Sequence, residues 1–429
     1  MTSALLTDRY ELTMIDAALR SGRASRRSVF EVFTRRLPEG RRYGVVAGTG
    51  RLLSLIQDFR FTTAELDWLR DNTVVTDATI DWLSTYRFTG DITGYAEGET
   101  YFPGSPILTL SGTFAECVIL ETLVLSVLNY DSAVASAASR MVSAADGRPL
   151  AEMGSRRASE QSAVAAARAA YIGGFGATSN LEAGRTWGVP TMGTAAHAFT
   201  LLHDTEEEAF RAQVAALGAG TTLLVDTYDV GRAVSLAVQI AGPSLGAVRI
   251  DSGDLPSQVA AVRAQLDMLG APNTKITVTN DLDEYTIAAL RAAPVDSYGV
   301  GTSVVTGSGH PASGMVFKLV SRQDDAGTWV DVAKKSTAKA TVAGQKFPMR
   351  TLRDGSAYAE TVYLDPPAAS ASERPLSVAL MTGGVPDPRY LGPAGTVLAR
   401  SRCAASVAEL PVSALRLSRG DAALPTVYV

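Results

Sequence analysis

The sequence predicts an α/β protein, with an irregular TIM-like α/β barrel that holds the active site and a second α/β domain formed from the N- and C-terminal segments. Three observations carry this. From about residue 150 to 319, short apolar and often β-branched runs alternate with helical patterns. Successive runs start about 20–30 residues apart, the length of a βα unit in a parallel sheet. No GxGxxG turn follows any run, so a barrel is favoured over an open dinucleotide-binding sheet.

The expected elements run as follows. Residues 1–140 form the N-terminal part of the flanking domain, with helices around Leu5–Leu19 and Thr63–Leu69 and strands at Val29–Phe33, Ile92–Tyr95 and Ile107–Leu110. Residues 141–325 form the barrel. Its strands are expected at Pro149–Met153, Tyr171–Gly174, Val189–Met192, Thr222–Val225, Ala247–Ile250, Lys275–Val278 and Tyr298–Val300. Helical patterns lie at Glu206–Leu217, Gly231–Ile240, Pro256–Leu269 and Glu284–Ala292. Residues 326–429, richer in Pro and Gly, complete the flanking domain with a basic loop and short strands such as Thr361–Leu364.

Composition narrows the function. The 429 residues are 46% hydrophobic and 19% charged, enough apolar material for a large core and too little charge for disorder. A formal charge of −5 argues against a dedicated nucleic-acid or membrane-surface binder. Two cysteines, Cys117 and Cys403, with no CxxC, exclude a disulfide framework and a zinc ribbon, and a reducing cytoplasm is the expected setting. The first residues carry Asp8 and Glu11 and no long apolar core, unlike a signal peptide. Glu116, Glu121, Asp131 and Arg140 interrupt the apolar stretch from Phe114 to Ala145, so a buried or interface helix is expected there rather than a membrane span.

In a parallel α/β barrel the reactive residues sit just after strand ends. Here those positions hold Gly193-Thr194-Ala195-Ala196-His197, then Asp226, Tyr228 and Asp229, then Asp251, Ser252, Gly253 and Asp254 with Arg249 just inside its strand. Asn280, Asp281 and Asp283 follow, and Gly299-Val300-Gly301-Thr302-Ser303 closes the series. The glycine-rich segment is either a phosphate cradle of backbone N–H groups or a tight strand-to-helix turn. Asp251 and Asp254 suit ribose hydroxyls or Mg²⁺, or else one of them caps a helix. Arg249 can clamp a phosphate or satisfy neighbouring carboxylates. His197 is one of three histidines, and Asp226 could orient its ring and raise its basicity. Arg156-Arg157 oppose a helix dipole if they begin a helix, which makes sense opposite an anion; a solvated helix start is the plainer reading. The run from Lys334 through Lys339 to Gly344, Lys346 and Arg350 reads either as a loop for a small polyanion or as a solvated surface. No GxxxxGK[ST] or zinc spacing occurs.

Together these residues resemble the nicotinate phosphoribosyltransferase family, type II phosphoribosyltransferases. The resemblance spreads over most of the chain. It is carried by Leu6-Thr7-Asp8-Arg9-Tyr10-Glu11-Leu12-Thr13-Met14, Phe30-Glu31-Val32-Phe33, Met153-Gly154-Ser155-Arg156-Arg157, Thr178-Ser179-Asn180 and the strand-end segments from Gly193 to Thr302. The basic loop completes it. Order and spacing make the match specific, although no single motif decides it.

The resemblance implies an ATP-coupled transfer, through a transient phosphohistidine at His197, of phosphoribose from phosphoribosyl pyrophosphate to nicotinate in NAD biosynthesis. It implies catalytic roles for His197, Asp226, Arg249 and Asp251. It implies substrate contacts from Tyr10, Arg156, Ser179, Asn180, Asp254, Asn280, Gly299, Gly301 and Thr302, with ATP and Mg²⁺ as cofactors. Tyr10 matches an aromatic lent by the neighbouring subunit, so a homodimer with shared active sites is implied, with no nucleic-acid or membrane partner. Related nicotinamide enzymes carry an acid where this chain has Ser179, and an uncharged hydroxyl there favours nicotinate. Two departures are visible: Met153 stands where the nicotinamide branch has a stacking aromatic, and Ala343 where the family often has proline. Phosphoribosyl transfer to nicotinamide or quinolinate, and a non-catalytic nucleotide-binding role, are the competing readings.

Overall fold

A computed structural model of the chain describes residues 4–334, 341–368 and 370–429. Two compact units emerge, Ala137–Gly309 and a second made of Met1–Ser136 with His310–Val429.

The Ala137–Gly309 unit is built on a six-stranded parallel sheet in the order Ala177–Thr178, Leu150–Glu152, Ser297–Val300, Lys275–Val278, Ala247–Ile250, Thr222–Leu224. The strands are short and mostly buried. Leu223, Leu224, Val248, Ile250, Ile276, Val278, Tyr298 and Val300 are all buried. Helices cover the sheet with apolar stripes of helical period. Val230–Ala241 buries Ala233, Val234, Ala237 and Ala241, and Leu255–Met268 buries Val259, Val262 and Leu266. Asp229 and Thr205 cap two helices by accepting the N–H groups of Arg232 and Glu208.

Two expected strands differ. Tyr171–Gly174 is the end of the Glu160–Ile172 helix and the turn after it, with Gly174 at φ +115°. The alanine run Ala165–Ala170 propagates the helix through Tyr171 and Ile172, and the strand forms later, at Ala177–Thr178. Val189–Met192 makes only a parallel bridge, Thr178 with Thr191. Pro190 has no N–H to give a ladder, and its carbonyl accepts the Thr178 N–H instead. The sheet therefore stays open between this bridge and the Thr222–Leu224 edge, a half-barrel rather than a closed one.

The other unit interleaves both chain ends in one seven-stranded sheet. Its order is Trp329–Asp331, Met315–Gln323, Arg27–Thr34, Leu108–Thr113, Asp91–Tyr95, Ser377–Thr382, Val385–Pro386, with antiparallel pairing throughout. Residues 310–325, expected with the barrel, belong here because Met315–Gln323 pairs with Ser28–Thr34. A core of Leu12, Ile15, Phe30, Val32, Leu52, Ile92, Leu110 and Phe317 packs against this sheet, with Phe30 stacked on Phe317 at 4.9 Å.

Lys346 and Arg350, expected in a basic loop, are buried structural residues of this unit. Lys346 Nζ lies 2.7 Å from Glu31, and Arg350 donates to Glu360 at 2.8 Å and to the Thr100 carbonyl at 2.8 Å. Lys335 and Lys339 lie outside the described residues. The apolar stretch from Phe114 forms two helices, Phe114–Val118 and Glu121–Ala145. It is long and apolar enough to cross a membrane, but 67% of its most apolar window is buried, as in a core helix. Cys117 and Cys403 are both buried free thiols.

Candidate active site

The strand-end residues of the Ala137–Gly309 unit converge on two cavities of about 190 and 330 Å³. Met153, Arg156, Arg249 and Asp251 line both, so together they reach the ~300–1,000 Å³ of a small-molecule site. The smaller adds Arg157, Thr279, Asn280, Asp281, Gly299, Gly301 and Thr302. The larger adds Ser155, Ser179, Gly193, Thr194 and His197.

Arg249 is held from three sides where its strand ends. Nε donates to the Thr279 hydroxyl at 3.0 Å, Nη1 to the Thr194 hydroxyl at 3.0 Å, and Nη2 to Asp251 at 3.1 Å. Thr279 also donates to Asp251. A guanidinium fixed in this way, yet lining both cavities, is preorganised for an anion.

His197 begins the His197–Leu202 helix with its side chain 40% exposed to the larger cavity. Its Nδ1 lies 3.1 Å from the Thr227 hydroxyl, while Nε2 is 3.9 Å from both Asp226 Oδ1 and Asp251 Oδ2. The hydroxyl of Thr227, rather than Asp226, makes the ring's hydrogen bond. The Asp226 side chain is only 2% exposed. Its Oδ2 accepts the Asp251 N–H and the Ser252 hydroxyl, and its Oδ1 has no hydrogen-bond partner among the described residues. An orphaned buried oxygen aimed past a histidine is costly in isolation and suits a ligand or cation. Among the described residues no cluster of three or more His, Cys, Asp or Glu could hold a metal by itself.

Gly299 must be glycine, since a Cβ there would lie 2.6 Å from Thr279 Cγ2 and 2.7 Å from Met153 Sδ. Asn280 and Asp281 take φ of +94° and +23°, left-handed values unusual outside glycine, where the chain turns into the smaller cavity. Ser179 is exposed at the larger cavity, its N–H bound to the Glu152 carbonyl at 2.9 Å.

Three expected residues fall elsewhere. Asn180 caps the Leu181–Trp187 helix through Ala183 N–H and donates to Ser155. Asp254 sits at the cap position of Leu255–Met268, where it accepts the Ser257 hydroxyl. Neither lines the two cavities. Tyr10 is on the Arg9–Arg20 helix of the other unit, 46% exposed. Thr227, Thr279 and Glu152 were not singled out by the sequence, although each stands at or just past a strand end.

A parallel α/β sheet whose strand ends present a fixed arginine, paired carboxylates, a histidine and a glycine-walled cavity defines a barrel enzyme for a small anionic substrate. Comparison with known proteins is specific. Residues 5–129 match the nicotinate phosphoribosyltransferase N-terminal domain. A nicotinate phosphoribosyltransferase of Mycobacterium tuberculosis, pncB1, is 54% identical over 99% of this chain and 95% of its own. The Bacillus subtilis nicotinate phosphoribosyltransferase is 35% identical over 84% of this chain and 76% of its own. The crystal structure of human nicotinic acid phosphoribosyltransferase superposes with a TM-score of 0.81 at 26% identity, covering 99% of this chain and 97% of that one. The chain belongs to the nicotinate phosphoribosyltransferase family.

Proposed function

We propose that this protein makes nicotinate mononucleotide from nicotinate and phosphoribosyl pyrophosphate, with release of pyrophosphate, as a step of NAD biosynthesis in the cytoplasm. The pyridine nitrogen bonds to the ribose C1 as the bond from C1 to the pyrophosphate oxygen breaks. ATP hydrolysis is coupled by transfer of its γ-phosphoryl group to His197, which releases ADP; water later cleaves the N–P bond to give phosphate.

The observation that carries the reading is the junction of the two cavities at Arg156, Arg249 and Asp251. One substrate can reach the glycine wall while another reaches Ser179 and His197. In this reading Gly299, Gly301 and Thr302 receive the 5′-phosphate, Asp251 the ribose hydroxyls, and Arg249 with Arg156 the leaving charge. Ser179 faces the nicotinate carboxylate without a competing negative charge. The Thr227 hydroxyl holds the His197 ring at Nδ1.

Asp226 Oδ1 and Asp251 Oδ2 are oxygen donors of the kind Mg²⁺ takes alongside phosphate and water, and they would hold it with the substrate. When bound, Mg²⁺ supplies Lewis-acid stabilisation of the departing pyrophosphate. We also propose that the active unit is a homodimer in which Tyr10 of each subunit serves the other's site; the exposure of Tyr10 and of Leu6 on the same N-terminal segment supports this.

The test is product formation from labelled nicotinate, phosphoribosyl pyrophosphate and Mg²⁺, with and without ATP, with nicotinamide in parallel. Nicotinate mononucleotide formed faster with ATP, and a His197→Ala variant that loses the ATP stimulation, is the expected result. Turnover of nicotinamide alone would overturn the substrate; full ATP stimulation in His197→Ala would overturn the coupling.

A further inference from the structure

Glu152 ends the Leu150–Glu152 strand, paired on one side with Val300 and on the other with Thr178. It is 1% exposed. One carboxylate oxygen accepts the Gly154 N–H and the other the Thr178 hydroxyl, at 2.6 Å. Its backbone carbonyl accepts the Ser179 N–H. Among the described residues no cation pairs with it, and burial holds its pKa above the ordinary carboxylate value. A buried acid with no cation is a poor choice for stability alone, since an apolar side chain avoids the desolvation cost.

What this group does is join two walls of one cavity. Gly154 opens the turn that carries Ser155 and Arg156, and Thr178 precedes Ser179. The turn packs closely against the glycine wall, since a Cβ on Gly154 would lie 2.3 Å from Val305 Cγ1 and 2.8 Å from the Gly301 carbonyl. We propose that Glu152 is a positioning residue that sets the separation of Arg156 and Ser179, and with it the width of the cavity that receives the pyridine substrate. This rests on the proposed reading of that cavity as the nicotinate site. Charge and positioning are separable. Glutamine can keep both links, its carbonyl accepting from Gly154 and its amide donating to Thr178, whereas leucine removes both at similar volume.

The experiment is steady-state kinetics with both substrates for the wild type, Glu152→Gln, Glu152→Leu and Thr178→Val, each checked by thermal unfolding. Glu152→Leu is expected to raise the nicotinate KM at least about tenfold, and by more than it changes kcat or the phosphoribosyl pyrophosphate KM, which Arg156 also serves. Glu152→Gln should stay within about threefold of wild type throughout, and Thr178→Val should fall between the two. A glutamine variant as damaged as leucine overturns the role, because charge would then matter rather than position. Equal losses in every kinetic constant overturn it as well. If Glu152→Leu does not fold, Thr178→Val decides, and an unchanged nicotinate KM there rejects the proposal. Ser179→Asp, run alongside, locates the pyridine independently. An effect there with none at Glu152 or Thr178 overturns the positioning role and leaves the site assignment intact.

Discussion

At the scale of single residues, substrate choice in the proposed reaction turns on Ser179. An aspartate there would set a second carboxylate against that of nicotinate. Two unit charges 4 Å apart repel by about 4 kcal/mol at an effective dielectric near 20, well beyond the ~1.4 kcal/mol of a tenfold change. Ser179→Asp is therefore expected to lower kcat/KM for nicotinate by more than about tenfold while sparing nicotinamide, whose amide can donate to the new acid. Unchanged nicotinate kinetics would place the pyridine elsewhere. His197, Asp226, Arg249 and Asp251 were legible in the sequence because each follows or ends an apolar strand, where a polar group has few structural reasons to stand. Thr227 and Glu152 were not, since a hydroxyl beside an aspartate and an acid at a strand end look like ordinary surface chemistry. Lys346 and Arg350 misled for the opposite reason. The partner that buries Lys346 is Glu31, 315 residues away, and local sequence carries no trace of it.

Among the elements, the Arg9–Arg20 helix is held by an unusual acid. Glu11 is fully buried; its carboxylate accepts the Thr122 N–H at 2.7 Å, the Thr122 hydroxyl and the Thr7 hydroxyl. Burial outweighs these donors and pushes its pKa from the ordinary 4.5 up to about 7. A raised folded-state pKa means that the native state binds the proton more tightly than the unfolded chain. The contribution to stability is then full below about 4.5 and is lost as pH rises through about 7. Glu11→Gln stays neutral across this range. Thermal unfolding of both proteins from pH 5 to 8 should show the wild type losing more stability than the variant; parallel curves would mean that Glu11 ionises in the fold without penalty. Element by element, sequence reading succeeded where one signal dominated, as in the buried strands Ala247–Ile250 and Lys275–Val278. It failed where two signals competed. At Tyr171 an alanine-rich helix overran a short β-branched run, and at Val189 a proline reduced a strand to a single bridge.

For the whole molecule, the division of labour in the proposed homodimer can be tested without a complex structure. If Tyr10 of one subunit serves the site built on His197 of the other, Tyr10→Ala and His197→Ala each disable both sites of their own homodimer. In a mixed dimer the two lesions fall on the same site, and the second site is assembled from an intact Tyr10 and an intact His197. Random reassortment of equal amounts makes half of the dimers mixed, each with one working site of two, so activity should recover to about a quarter of the wild-type level. If Tyr10 instead served its own subunit, each site of the mixed dimer would carry one lesion and nothing would recover. The assay needs ATP-stimulated formation of nicotinate mononucleotide before and after the two variants are mixed under conditions that exchange subunits. Size-exclusion chromatography at the assay concentration supplies the control, because a monomer would give no recovery and would reject the shared site together with the dimer.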